Sequence, residues 1–255
     1  MTIKKAAVIG AGTMGTGIAA HLANAGVPCV LLDIVPPGAS GGPGAPGGPQ
    51  GRSRLAIEAL ERALKGSPPA FIDPADAALI VPGNIEDDLG RLADCDWIVE
   101  AVSENLEIKR ILFRKIAQHR KRGAIVSSNT SGLALNLLTE GLDEELRRHF
   151  LITHFFNPPR YMYLLEVVKG PETLPAVAEE IERFADVRMG KGIVRCKDTP
   201  NFIANRIGVF CMGASCRLML EEGLTVEEVD EVTGPPMGRP KTASFRLHDL
   251  VGIDV

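Results

Sequence analysis

Short apolar runs, glycine-rich turns and stretches of helical period alternate along the first three quarters of the chain. Ala6-Ala7-Val8-Ile9 is uniformly apolar, as a strand buried on both faces is, and Gly10-Ala11-Gly12 ends it. Met14, Ile18, Leu22 and Ala25 then recur at helical spacing, and Gly26 supplies a left-handed stop. A second apolar run, Cys29-Val30-Leu31-Leu32, closes at Asp33. Strand, tight turn, helix and strand within about 30 residues predict a right-handed βαβ unit and so a parallel sheet covered by helices. The pattern continues with a strand at 96–102, a helix at 106–119 and a strand at 124–128. Strands near 150–156, 163–168 and 192–196, with a helix over 173–187, complete it. Residues 1–197 therefore read as one doubly wound α/β domain with a mainly parallel sheet.

Two stretches break the alternation. Residues 36–51 hold seven Gly and five Pro with no charge and no aromatic, so the segment cannot bury enough apolar surface to order itself. It reads as a flexible surface insertion inside the first domain, with a helix resuming over 52–65 on the apolar positions Leu55, Ala59, Leu60 and Ala63. Beyond residue 197 the periodicity is helical only. Thr199 can cap a helix that Pro200 opens, and Ile203, Ile207, Phe210, Ala214 and Leu218 form one long apolar stripe. Thr225 with Glu228 is a capping box for a second helix, stopped at Gly234-Pro235. Residues 198–255 thus read as an all-helical domain, incomplete in itself, whose stripe needs further packing; a homodimer contact is predicted there.

Composition narrows the class. At 45% hydrophobic and 24% charged the chain is globular, and a net charge of -4 gives no global field for nucleic acid or an anionic membrane surface. The five scattered cysteines, with no C-x-x-C pair, predict neither a disulfide framework nor a metal site, and point to a reducing, cytoplasmic compartment. Lys4 and Lys5 before a small-residue run imitate a secretory leader, but glycines, threonines and His21 interrupt that run. No stretch reaches the roughly 18 apolar residues of a membrane helix, so no membrane insertion is expected.

Candidate chemistry starts at Gly10-Ala11-Gly12-Thr13-Met14-Gly15, a G-x-G-x-x-G placed between a buried strand and a helix. Gly10 permits the turn, Gly12 lets a pyrophosphate approach the backbone near Thr13 and Met14, and Gly15 lets helix and strand pack closely. Asp33 lies where a carboxylate would accept the ribose hydroxyls of NAD and repel a 2′-phosphate. The domain is therefore Rossmann-like, and ligands of such sheets bind beyond the carboxyl ends of the strands. Three polar turns fall at such ends: Ser103-Glu104-Asn105, Ser127 to Ser131, and Asn157-Pro158-Pro159. A dehydrogenase needs a base for the hydroxyl proton, and of five histidines only His154 sits in a strand that runs into one of those turns. Glu166 stands in the otherwise apolar run Leu164-Leu165-Glu166-Val167-Val168; a buried carboxylate needs a partner, either His154 or a structural cation. The basic stretch Lys109, Arg110, Arg114, Lys115, Arg120, Lys121, Arg122 reads as a solvated helix face, or more sharply as an anchor for the phosphates of an acyl carrier.

Five ordered motifs carry a resemblance across residues 4–255. They are the glycine fingerprint, Ser128-Asn129-Thr130-Ser131, His154-Phe155-Phe156-Asn157-Pro158, Leu165-Glu166-Val167-Val168, and Lys197-Asp198-Thr199-Pro200-Asn201-Phe202-Ile203-Ala204-Asn205-Arg206. Through them the chain resembles the 3-hydroxyacyl-CoA dehydrogenase family, most closely the dehydrogenase part of long bacterial fatty-acid oxidation proteins. The resemblance implies NAD-dependent oxidation of L-3-hydroxyacyl-CoA in fatty-acid β-oxidation, with an acyl-CoA substrate. It further implies His154 as base, Glu166 as its orienting carboxylate, Ser131 and Asn205 at the reacting oxygen or thioester carbonyl, and Glu104, Lys109 and Asn157 near the nicotinamide. A non-catalytic NAD-binding fragment of a larger protein is the competing expectation. A lysine-dependent β-hydroxyacid dehydrogenase is disfavoured, because His154 and Glu166 stand where that class relies on a lysine.

Overall fold

A computed structural model describes residues 3–39 and 48–251 of the 255-residue chain. One eight-stranded sheet forms its centre, in the order β3-β2-β1-β4-β5-β6-β7-β8. The strands are β1 (Ala6–Ile9), β2 (Cys29–Asp33), β3 (Ile80–Asn84), β4 (Trp97–Glu100), β5 (Ile125–Ser128), β6 (Phe150–Phe155), β7 (Leu164–Lys169) and β8 (Gly192–Cys196). Neighbours pair in parallel except β6 and β7, which run antiparallel with His154 opposite Glu166. The chain builds outward from β1 through β2 to β3, then returns to lay β4 on the other side of β1. That reversal opens a crevice beyond the carboxyl ends of β1 and β4, the position at which this architecture receives ligands.

The helices of the first unit are α1 (Thr13–Asn24), α2 (Gly48–Arg52), α3 (Arg54–Lys65), α4 (Leu106–His119), α5 (Leu135–Thr139), α6 (Glu144–Arg148) and α7 (Pro175–Met189). Ile18, Leu22 and Ala19 of α1 and Ile181, Phe184 and Ala185 of α7 bury against one sheet face with Val8, Leu31 and Trp97. Trp97 sits edge-on to Phe184, 6.0 Å between centroids, and donates its Nε1–H to Ser127 Oγ at 2.9 Å. An indole at the centre of the sheet is thereby both packed and satisfied.

The chain folds as two compact units, Met1–Pro200 and Asn201–Val255. The second holds α8 (Ala204–Glu222), α9 (Val226–Thr233), a 3₁₀ turn at Pro235–Met237 and α10 (Phe245–Val251). Its helix starts later than Thr199-Pro200, because Asn201 and Phe202 take left-handed φ values of 63° and 45° that no α-helix can contain. The Thr225/Glu228 capping box forms as expected. The carboxylate of Asp230 caps α10 by accepting the N–H groups of Ser244, Phe245 and Arg246.

Of the glycine–proline stretch, residues 40–47 lie outside the described residues, and its end, from Gly48, is already helical in α2. β3 was not expected from the sequence. It contains Pro82 and Gly83, which read as breakers, but it is the edge strand, where one missing donor faces no neighbour.

Candidate active site

The turn from β1 to α1 is shaped by its glycines. Gly10 has φ +106°, and a Cβ there would sit 2.5 Å from the carbonyl oxygen of Ala101. A Cβ on Gly15 would collide with the carbonyl oxygen of Gly10, so helix and strand touch through bare backbone. Gly12 differs: nothing lies within 4 Å of the position its Cβ would take, and no side chain caps the helix that begins after it. The first N–H groups of α1 therefore face open space at the positive end of the helix dipole, next to Thr13 and Met14.

Asp33 ends β2 and braces this turn, its Oδ2 accepting the N–H of Ala11 at 2.7 Å and its Oδ1 that of Ile34 at 2.6 Å. It borders a cavity of about 500 Å³ walled by Ile34, Ile85, Val102, Ile108 and Ile111. An apolar slot with one carboxylate at its edge, opening onto Gly12, fits the adenosine half of NAD, with the pyrophosphate at the bare helix end. A second cavity of about 530 Å³ lies on the other side of Gly12, between Arg62, Ser67 and Pro68 on one wall and Asn157, Pro159, Arg160 and Tyr161 on the other.

At the carboxyl end of β6, His154 Nδ1 lies 2.8 Å from Glu166 Oε2. The carboxylate side chain is 0% exposed and the imidazole 4%. Direct cross-strand pairing puts the two side chains on one face of the sheet, and the phenyl of Phe156 stands 4.5 Å from the imidazole centroid.

Beside the ends of β4 and β5 runs a second buried polar network. Lys109 on α4 lies 2.6 Å from Glu100 and 3.2 Å from Glu104. It is fully buried, which corrects the reading of Lys109 as part of a solvated basic face: the helix turns this one cation inward while Arg110 pairs with Glu107 and Glu140 outside. Glu100 also accepts from Ser128 Oγ at 2.5 Å and Val102 N at 2.7 Å. Glu104 accepts from the Thr130 hydroxyl and from the N–H groups of Ser131, at 3.0 Å, and Gly132. Burial alone would raise the Glu104 carboxyl, but the Thr130 hydroxyl, Lys109 and the Ser131 N–H together hold it below the usual range. The network thus fixes the turn that bears Ser131. Asp198 fixes its far end by accepting Leu135 N–H on both oxygens, at 3.2 and 3.0 Å. Asn129 ties it to the His154 strand, its Oδ1 accepting Phe155 N–H at 2.9 Å.

Asn157 is exposed on the wall of the second cavity, and Asn205 belongs to the second unit, on the first turn of α8. Glu100 and Asp198 were not singled out by sequence reasoning. Glu100 carries the signal that marked Glu166, a carboxylate inside an apolar strand.

The sequence profile of the 3-hydroxyacyl-CoA dehydrogenase NAD binding domain matches residues 5–199, and that of the 3-hydroxyacyl-CoA dehydrogenase C-terminal domain residues 202–255. The chain belongs to the 3-hydroxyacyl-CoA dehydrogenase family. Its first unit is the family's NAD-binding domain, with NAD as cofactor. A probable 3-hydroxyacyl-CoA dehydrogenase of Deinococcus radiodurans is 48% identical over all of this chain and 71% of its own length. One from Bacillus subtilis is 48% identical over 99% of the chain but only 32% of its own length, so the chain spans about a third of that relative. The crystal structure of (S)-3-hydroxybutyryl-CoA dehydrogenase from Ralstonia eutropha superposes with TM-score 0.76 at 28% identity, covering 99% of this chain and 84% of that one. Among the described residues no helix is long and apolar enough to cross a membrane, and no group of three or more His, Cys, Asp or Glu could hold a metal ion.

Proposed function

We propose that this chain oxidises the 3-hydroxyl group of an L-3-hydroxyacyl-CoA thioester to the 3-oxo compound, a step of fatty-acid β-oxidation, in the cytoplasm. The observation that carries the reading is the buried His154–Glu166 pair at the carboxyl edge of the sheet. NAD, when bound, supplies the acceptor for the hydride that leaves C3. With Nδ1 turned to the carboxylate, Nε2 is the nitrogen that takes the hydroxyl proton, and Glu166 stabilises the resulting imidazolium. In this reading Ser131, whose turn the Glu104 and Lys109 network holds, serves the reacting oxygen or the thioester carbonyl, and Asn157 the nicotinamide end, while Asn205 takes a role at the same oxygens from its motif alone. The second cavity, with Arg62 and Arg160 on opposite walls, suits the anionic carrier of the thioester. A cytoplasmic site agrees with five cysteines that are all free thiols.

The test is NADH formation from 3-hydroxybutyryl-CoA by the 255-residue chain. His154→Ala should lower kcat by ~10²–10⁴-fold with the Kd for NAD nearly unchanged, the range that general-base assistance contributes. Glu166→Gln keeps a hydrogen-bonding group but not the charge, and should lower kcat by a smaller factor. Both variants within about twofold of the parent kcat would refute the assignment. A chain that binds NAD but never forms NADH would be a cofactor-binding fragment instead.

A further inference from the structure

A cation that the chemistry above does not use lies under the second cavity. Lys191, between α7 and β8, is 2% exposed, and among the described residues burial, not a carboxylate, is what acts on its charge. Its Nζ donates to two backbone carbonyl oxygens of a single loop, those of Pro159 and Met162, the latter at 2.7 Å, and stands 5.9 Å from the centroid of the Phe155 ring. An ammonium taken out of water without a counter-ion is costly, so its contacts have to be well made.

That loop is the wall of the cavity and follows directly on His154-Phe155-Phe156. Pro158 and Pro159 offer no N–H, so few backbone bonds of its own can knit it together. The N–H groups of Tyr161 and Met162 share the Pro158 carbonyl, Arg160 reaches out to the carbonyls of Pro69 and Phe71, and Gly192 N–H donates to Tyr163 O at 2.9 Å. Among the described residues Lys191 alone binds two of the loop's carbonyls with one side chain.

We propose that Lys191 is a positioning residue: by holding the Pro159 and Met162 carbonyls, its ammonium sets the Asn157–Tyr161 wall against which the substrate carrier binds. Burial pushes Lys191 down to about 8, within the range of ordinary assays. Of the charged and titratable groups around it, His21 on α1 is brought down to about 4, by burial first and by Lys191 next, and Arg160 on the loop acts on His21 in the same direction. Neither changes charge between pH 7 and 9, as an arginine keeps its proton throughout.

The two tyrosines of the chain, Tyr161 and Tyr163, both lie in this loop, so protein labelled with [15N]tyrosine reports on the loop alone. In the parent chain at least one of the two amide signals should shift with a midpoint near pH 8, as charge-assisted bonds become weaker neutral ones. Lys191→Arg should abolish that transition. Lys191→Met should displace the signals already at pH 7 and raise KM for 3-hydroxybutyryl-CoA about fivefold, with kcat within about twofold. The proposal is overturned if the parent shows no inflection between pH 7 and 9, if the inflection persists in Lys191→Arg, or if Lys191→Met leaves both KM and the signals unchanged. Should Lys191→Met not fold, the parent and the arginine variant decide. The kinetic arm rests on the proposed dehydrogenase reading; the spectroscopic arm does not, so an inactive chain would sink that reading and leave this one to its own test.

Discussion

A carboxylate inside an apolar strand has to be accounted for, and at the scale of single residues that rule reaches far in this chain. It marks Glu166, which the fold pairs with His154, and it applies equally to Glu100, which the fold pairs with Lys109. What it cannot tell is which partner a carboxylate takes, because Lys109 sits in a run of cations that includes the exposed Arg114 and Lys115 and nothing local sets it apart from them. Lys191 is harder still. Nothing in Met189-Gly190-Lys191-Gly192 distinguishes a buried ammonium from a surface one, since its partners are carbonyl groups that every residue possesses. Asp33 was legible from its place at the end of β2, and it carries a prediction. With its oxygens already turned to Ala11 and Ile34 N–H, the carboxylate is fixed beside the slot and cannot swing away from a 2′-phosphate. NAD should therefore bind roughly tenfold to a hundredfold more tightly than NADP, the size of an unrelieved like-charge contact, and Asp33→Ser should narrow the gap. Equal dissociation constants for the two cofactors in the parent chain would contradict this.

Among elements, the β1–α1 turn separates two uses of glycine that the motif alone runs together. Gly15 is required by packing, since its Cβ would meet the Gly10 carbonyl, whereas Gly12 has φ −71° and open space around it. Gly15→Ala should lower the unfolding free energy by roughly 1–3 kcal/mol, as forced overpacking does, and show it as a lower urea midpoint. Gly12→Ala should leave stability within about 0.5 kcal/mol, as a change away from packed contacts does, yet weaken NAD binding, because the methyl group projects where the pyrophosphate approaches. Equal stability losses in the two variants would show that open space at Gly12 is not what sets it apart. The elements that sequence reading found are those with a long apolar run or a full helical stripe. Those it lost are β3, whose Pro82 and Gly83 are tolerable only at an edge, and the helices α2, α5, α6 and α10, of five to seven residues and too short to show a period. α5 owes its start to Asp198, 63 residues away, which no local pattern reveals.

For the whole molecule, α8 has nineteen residues and buries none of them. Ile207 is 60% exposed, Phe210 76% and Leu220 77%, so the helix displays large apolar side chains along its length. A monomer seldom leaves so continuous an apolar surface to water, because each large side chain buried is worth about 1.5–3 kcal/mol. In a chain that spans a third of one relative and 71% of another, either further helices of a longer protein or a second copy could cover that stripe. For the 255 residues alone only the second copy is available, and a homodimer through α8 is the expected state. Light scattering should give about twice 27.3 kDa at high concentration. Phe210→Asp should shift the mass toward the monomer without changing the Kd for NAD, since a buried unpaired carboxylate is costly at an interface while the cofactor slot lies wholly within the first unit. A parent chain that stays monomeric at every concentration would rule the contact out.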